Sequence, residues 1–260
     1  MDQNLKDVTV IILAKNEEAR IAACLASVAG AGEIIVIDNR SSDKTVAIAR
    51  KAGADVNEIS GTDFSHLRTA GLAKATKEWI LYVDADEQIT RELRDEIAEV
   101  TDSFDPDKDP HGYYIERQNY YLGHKWPVKD KMQRFFYRPS LQGWRGALHE
   151  TAMIKGGEGT LKHPLLHNTH RSLEEMVAKT NEWSETEAKL RYDAHHPRIS
   201  WWRLLRVMAT GFWRSYIREA GYKAGTVGMI ESMYQGFSMF VTYAKLWEMQ
   251  EEGLTVKGKR

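Results

Sequence analysis

The chain is expected to fold as an α/β protein on an open, largely parallel sheet, with a helical extension at its C-terminus. Three features of the 260-residue sequence lead there. Three short apolar runs, rich in β-branched or aromatic residues, have the look of strands buried on both faces. Segments of helical period separate them. After Ser172 the composition becomes helical, and Pro197 is the last proline.

Val8-Thr9-Val10-Ile11-Ile12-Leu13 is β-branched at five of six positions and is the first strand. Asn16 is placed to cap the following helix, whose apolar stripe is Ile21, Leu25 and Val28. Ile34 to Ile37 is the second strand, ending at Asp38, and Ser41, Ser42 and Asp43 offer a cap to a short helix through Ala52. A weaker extended segment runs from Val56 to Ile59, with a helix over Ser65 to Ala75. Trp79-Ile80-Leu81-Tyr82-Val83 is the third strong strand, stopping at Asp84, and Thr90 caps a helix through Val100. Strand and helix alternating on short links predict a doubly wound sheet. Asp102 to Pro110 reads as a solvated loop, followed by strands over Gly112 to Tyr121 and Gln133 to Tyr137. Ser172 and Glu175 form a capping box, with Leu173, Met176, Val177 and Trp183 on one side of the helix they open. Arg198 to Gln250 reads as helix, with breaks at Gly221, Gly225 and Gly228. The expected division is residues 1–170 as one domain and 171–260 as the extension.

The chain is 42% hydrophobic and 28% charged with a formal charge of -1, so bulk attraction to nucleic acid is excluded as its governing feature. Cys24 is the only cysteine, which excludes an internal disulfide framework and a cysteine zinc site and fits a reducing compartment. The apolar run near the N-terminus is too short for a signal peptide, and no stretch reaches the roughly 18 apolar residues of a membrane-spanning helix. A cytoplasmic location is expected.

Open α/β sheets bind ligands beyond the carboxyl ends of their strands. Three such ends are polar here: Lys15-Asn16-Glu17-Glu18, Asp38-Asn39-Arg40-Ser41-Ser42-Asp43 and Asp84-Ala85-Asp86-Glu87. No G-x-G-x-x-G follows the first strand and no G-x-x-x-x-G-K-[ST] occurs, which argues against a dinucleotide dehydrogenase or a P-loop enzyme. Asp84 and Asp86, separated by one small residue, can turn toward one hard cation, Mg²⁺ or Mn²⁺, that also binds phosphate. Asp38 can accept hydrogen bonds from a ribose or base. Each has a plainer reading, as an acidic turn or a cap.

In their order, Ala14-Lys15-Asn16-Glu17-Glu18, Val36 to Thr45 and Trp79 to Glu87 resemble glycosyltransferase family 2, with its GT-A, Rossmann-like fold. More narrowly they resemble the lipopolysaccharide core β-1,4-glucosyltransferase group. Arg134-Phe135-Phe136-Tyr137-Arg138, Leu148-His149-Glu150 and His167 leading into Thr169-His170-Arg171-Ser172 carry the resemblance on. It implies an inverting hexosyltransferase using a nucleoside diphosphate sugar, most often UDP-linked. It places Asn16, Glu17, Asp38, Arg68, Asp84 and Arg134 at the nucleotide and diphosphate, Asp84, Asp86 and His167 at the cation, and Glu150 as the general base. The sequence departs from the pattern at Arg68-Thr69, where the family has Arg-Asn, at His170, where it has an aromatic, and in a short linker from Gly123 to Lys131. These departures bear on donor-sugar or acceptor identity.

Between Arg198 and Lys223, six basic residues face one acidic residue, Glu219, and Trp201, Trp202 and Trp213 are three of the chain's eight tryptophans. With Arg203, Arg206 and Arg214 among them, this composition suits an amphipathic helix on an anionic membrane surface. Met229 to Met249 could serve as a hairpin partner or a homodimer face. The expected acceptor is accordingly lipid-anchored, a lipopolysaccharide core or a polyprenyl-linked glycan, met on the inner face of the cytoplasmic membrane. A nucleotidyltransferase and a non-catalytic nucleotide- or glycan-binding module remain as alternatives. The acidic first strand end counts against the former, which needs a basic glycine-rich loop.

Overall fold

The alternating run of buried strands and amphipathic helices is realised in order along the chain. The computed structural model describes residues 5–61, 63–146, 150–169 and 172–257. The elements are β1 (Val8–Ala14), α1 (Ile21–Ser27), β2 (Glu33–Asp38), α2 (Thr45–Lys51), β3 (Asp55–Glu58), α3 (Phe64–Lys74), β4 (Trp79–Asp84), β5 (Glu87–Ile89) and α4 (Arg91–Ser103). There follow β6 (Gly112–Tyr121), β7 (His124–Lys125), β8 (Asp130–Tyr137), β9 (Leu141–Arg145), β10 (Thr151–Ile154), β11 (Glu158–Thr160), β12 (Leu165–Thr169), α5 (Leu173–Asp193), α6 (Trp201–Trp213) and α7 (Gly225–Lys257). Two units are distinguished, one of Met1–Gln118 with Lys129–His167, the other of Asn119–Val128 with Asn168–Arg260.

The sheet runs β3-β2-β1-β4-β8-β6-β12-β5. β3, β2, β1 and β4 are parallel, whereas β8 joins β4 antiparallel and β6 joins β8 antiparallel. The doubly wound half is thus extended as a mixed sheet. Because β1 and β4 are covered on both faces, successive residues feed two cores. Val8, Val10, Ile12, Trp79, Leu81 and Val83 pack with α1 and α4 through Ile21, Leu25, Leu93 and Ile97. Ile11, Leu13, Ile80 and Tyr82 pack on the other face with Leu67 of α3 and with Leu141, Trp144 and Ala152 of the β9–β10 hairpin. The register sets Ala14 opposite Asp38 and Leu13 opposite Asp84, so the two aspartates flank the end of β1.

Two helix starts differ from expectation. α1 begins at Ile21 after an uncapped Arg20, and Asn16 instead sits in the left-handed region with φ 55. Asn16 Oδ1 accepts from Ser42 N at 2.8 Å, so the side chain serves the neighbouring loop rather than its own helix. α2 begins at Thr45 with Lys44 as N-cap, while the Asp43 carboxylate accepts from Thr45 N at 2.9 Å. Thr90 caps α4 as expected, accepting from Leu93 N at 3.1 Å, and α3 is capped by Asp63, a cap not among those expected from the sequence.

In the second unit, Ser172 Oγ accepts from Glu175 N at 3.2 Å and starts α5. The buried side of α5 is Met176, Thr180, Ser184 and Ala188; Leu173, Val177 and Trp183, expected to accompany Met176, are exposed. Small residues let α7 approach closely enough for Tyr234 Oη to reach both Thr180 Oγ1 and Met176 O. Gly221 and Gly225 lie at the break between α6 and α7. Gly228 lies within α7, where an added Cβ would fall 1.8 Å from Gly221 O, so its smallness serves packing. Trp126 is buried, and its ring lies 2.9 Å from where a Gly221 Cβ would be.

α3 presses on the sheet at Gly71, whose added Cβ would lie 2.5 Å from Ile11 Cγ2 and 3.3 Å from Ile37 Cγ1. Both neighbours are fully buried and β-branched, so neither can swing aside. Gly71→Ala is expected to lower stability by about 1–3 kcal/mol. Urea unfolding with an unchanged m-value checks this; equal or higher stability would mean that the helix shifts freely.

Candidate active site

The site residues come from the carboxyl ends of the parallel strands, from the strands that extend the sheet, from α3 and from the β9–β10 hairpin. Asp38 closes β2 with 1% of its surface exposed. Its Oδ2 accepts from Ser41 N at 2.9 Å, and its Oδ1 is buried without a hydrogen-bond partner among the described residues. A buried carboxylate oxygen left unpaired is costly and is a natural acceptor for a ligand donor.

The loop bearing Asp38 is stitched to the loop after β1. Asn16 N donates to Ser41 Oγ at 2.8 Å, Glu17 N to Thr45 Oγ1 at 2.7 Å, Glu18 N to Asp43 Oδ2 at 3.0 Å, and Lys44 N to Glu18 Oε2 at 3.0 Å. The Glu17 carboxylate pairs with Arg20. Asn16 and Glu17, which the family pattern assigns to the nucleotide, here buttress the Asp38 loop.

Asp84, at the end of β4, is turned toward guanidinium groups. Its Oδ2 accepts from Arg134 Nη2 at 2.6 Å and its Oδ1 from Arg68 Nη2 at 3.3 Å. Arg134, 1% exposed, also donates to Glu87 Oε1 at 3.0 Å, and the fully buried Glu87 accepts from Asp84 N at 2.9 Å. Arg117 Nη1 reaches Glu87 Oε1 at 3.3 Å, and its Nε donates to Asp130 Oδ1 at 3.0 Å. At the other end, Arg68 Nε donates to Glu150 Oε1 at 2.7 Å. The Arg68 guanidinium is flanked by Trp144 and Tyr82, at 5.1 and 5.3 Å from their ring centroids. The result is an alternating chain, Glu150–Arg68–Asp84–Arg134–Glu87–Arg117–Asp130.

These contacts shift the ionisation of Asp84, Arg134 and Asp130. Burial alone would raise the Asp84 carboxyl, but the Arg134 and Arg68 charges outweigh it and hold the group well below the usual carboxylate range. Burial works against the Arg134 cation, and Asp84 and Glu87 reverse that, raising it above the ordinary arginine value. For Asp130, the hydrogen bonds and charge of Arg117 overcome burial and lower the carboxyl.

Asp86 turns the other way. β5 pairs antiparallel with β12, setting His167 opposite Glu87, and His167 Nε2 comes within 3.3 Å of Asp86 Oδ2. Asp86 and His167 therefore converge as expected, but Asp84 does not join them. No group of three or more metal-binding side chains occurs among the described residues. A carboxylate and an imidazole still fit a divalent cation that takes its remaining ligands from phosphate and water. The charges fit as well, since the chain beside them holds four carboxylates against three guanidiniums.

Arg134, assigned to the diphosphate by the family pattern, has its charge committed to Asp84 and Glu87, because a carboxylate as buried as Glu87 requires a partner. Arg68 keeps Nη1 without a hydrogen-bond partner among the described residues. Arg68, Arg134 and Glu150 line a cavity of 230 Å³ together with Tyr114, Lys131 and Trp144. Leu148 and His149 lie outside the described residues, as do His170 and Arg171. Glu87, Arg117, Asp130 and Trp144 are site residues that sequence reasoning missed. Glu87 is visible within Asp84-Ala85-Asp86-Glu87, whereas the pairing of Arg117 with Asp130 depends on a strand register the sequence does not display.

A sheet of this order with acidic ends on its central strands defines the GT-A class. The mannosyltransferase PcManGT from Pyrobaculum calidifontis, solved in complex with GDP-Man and Mn²⁺, is similar over 93% of this chain and 87% of its own, with TM-score 0.52 and 14% identity. Residues 9–146 match Glycosyl transferase family 2, and the chain belongs to that family. An uncharacterized glycosyltransferase of Rickettsia felis is 27% identical over 94% of this chain and 90% of its own length. The lipopolysaccharide core biosynthesis glycosyltransferase LpsC of Rhizobium meliloti is 24% identical over 92% of each.

Arg134→Met removes the cation between two carboxylates and is expected to cost about 3–5 kcal/mol at neutral pH. A depressed Asp84 pKa contributes stability above the unfolded value of about 3.9, which is lost as pH falls through the folded value. Removing Arg134 lifts the folded value, so acid unfolding should move to higher pH. Acid titration followed by circular dichroism checks it; an unmoved midpoint would show that Arg134 does not set the Asp84 ionisation.

Proposed function

We propose that this chain is an inverting glycosyltransferase that moves a hexose from a UDP-sugar to a lipid-carried glycan, of the lipopolysaccharide core or polyprenyl-linked kind. The observation that carries the donor assignment is the buried, unpartnered Asp38 Oδ1 at the carboxyl end of β2, an acceptor suited to a nucleoside N–H or O–H. The complex of PcManGT with a sugar nucleotide and Mn²⁺ agrees with a nucleotide-sugar donor and a divalent cation. The lipid-carried acceptor rests on the similarity to LpsC over nearly the whole chain.

In this reading Asp38 holds the nucleoside and Arg68 presents its spare Nη1 to the diphosphate. Asp86 and His167 would hold Mg²⁺ or Mn²⁺, and Asp84, ionised by its arginines, would add negative charge to the same strand end. The cation supplies positive charge toward the departing diphosphate. Glu150 accepts the acceptor hydroxyl proton as that oxygen bonds to the anomeric carbon; the bond from that carbon to the diphosphate breaks, and UDP leaves with its electron pair. Attack opposite the leaving group inverts the anomeric centre. Arg68 is the pivot, since it touches both Glu150 and Asp84 and can orient the base.

A thermal-shift panel of UDP, GDP and ADP with and without Mn²⁺ should show stabilisation by UDP that depends on the metal. No nucleotide response would overturn the donor assignment, and a response to GDP alone would overturn the choice of uridine. Glu150→Gln is expected to lower transfer to a membrane lipid extract by about 10²–10⁴-fold, followed by mass spectrometry of the product, while the UDP shift persists. Full activity in that variant would remove Glu150 from the reaction. Asp86→Asn should lose the metal-dependent part of the UDP shift and transfer with it; unchanged values would eliminate the cation site.

A further inference from the structure

We infer that α6 and α7 together present a docking surface for an anionic lipid bilayer, lying flat at headgroup depth. All of the residues involved belong to the second unit, so the inference stands apart from the assignment of donor and base.

α6 has its large apolar residues on the outside. Trp201, Leu205 and Met208 recur at i, i+4 and i+7, and Trp201 is 75% and Leu205 59% exposed. Trp202 and Trp213 are exposed beside them, while the buried positions of the helix are Val207 and the side-chain-free Gly211. A surface helix facing water has the opposite arrangement. α7 continues the surface. An added Cβ on Gly236 would lie 2.9 Å from Met208 O and 3.7 Å from Phe212 Cβ, so the helices are in near-backbone contact there. Met229 and Met233 precede Gly236 by seven and three residues, which puts them on its face, and both are exposed, as is Phe237. The two outward stripes therefore adjoin and form one apolar surface of the kind that marks an interaction site.

The charges around this surface select its partner. Arg203, Arg206, Arg218 and Lys223 supply positive charge, whereas Arg214 is paired with Glu219 at 2.9 Å and Arg198 with Glu251 at 2.8 Å. The Arg203 and Arg206 guanidinium carbons lie 5.5 and 5.3 Å from the Trp202 ring centroid, holding cationic heads at the level of an indole. Indole and guanidinium at one depth, beside a methionine and leucine stripe, match a boundary between acyl chains and phosphates. A second copy fits less well, because an isologous contact repeats one patch on both sides and would face these cations with themselves. No helix among the described residues is long and apolar enough to cross a membrane, so the contact is a surface one.

The test is co-sedimentation of the full chain with vesicles of phosphatidylcholine alone or with about one-third phosphatidylglycerol, at low and high salt. Expected is binding at least about 10-fold stronger to the anionic vesicles, weakening with salt, with a blue shift of tryptophan emission. The double variant Trp201→Ala, Leu205→Ser should lose the blue shift. Arg203→Glu with Arg206→Glu should abolish the anionic preference; both variants should keep the native circular dichroism and the nucleotide response. Equal binding to both vesicles, binding to neither, or a solution dimer that Trp201→Ala dissociates would each overturn the inference.

Discussion

One guanidinium buried between two carboxylates governs the first unit. Glu87 has no exposed surface and Arg134 almost none. Either charge alone at that depth would be strongly destabilising, and together they are tolerable because Arg134 Nη2 donates to Glu87 and Asp84, although Arg134 Nε has no partner among the described residues. Arg134 extends the same bonding to Asp84, so the end of β4 is fixed by a strand that joins the sheet much later in the chain. From that fixed point the geometry follows. Asp84 turns inward to the arginines, and Asp86, one small residue on, turns toward His167.

The same economy holds at the neighbouring strand ends. The loops after β1 and β2 bond reciprocally through main-chain donors and short side-chain acceptors, which leaves Asp38 buried with one oxygen uncommitted. Polar residues of the strand ends thus divide into those whose hydrogen bonds hold the loops together, Asn16, Glu17 and Asp43 among them, and Asp38, whose Oδ1 has no hydrogen-bond partner among the described residues.

That division marks how far the sequence could be read. The parallel half of the sheet was legible, because strands buried on both faces must be continuously apolar, as Val8 to Leu13 and Trp79 to Val83 are. The cap at Thr90 acts locally and could be read from local sequence. The strands β5 and β9 to β12 are short, polar or interrupted by glycine, and their pairing comes from the rest of the sheet, so no period announces them. The direction of each acidic side chain was equally hidden. Asp84-Ala85-Asp86 reads as a pair aimed at one ion, and only the arrival of Arg134 and Arg68 from distant elements separates the two. In α5 the apolar residues suggested a buried stripe, yet Thr180 and Ser184 face inward because small side chains allow α7 to come close.

Arg68 bridges Glu150 and Asp84, and this shared contact makes the placement of the two carboxylates interdependent. Removing either one releases an arm of the guanidinium, so neither side chain keeps its position independently of the other. The effects of replacing Glu150 and Asp84 together would therefore fall short of or exceed the sum of the single replacements, and the size of that departure measures how firmly the guanidinium ties them.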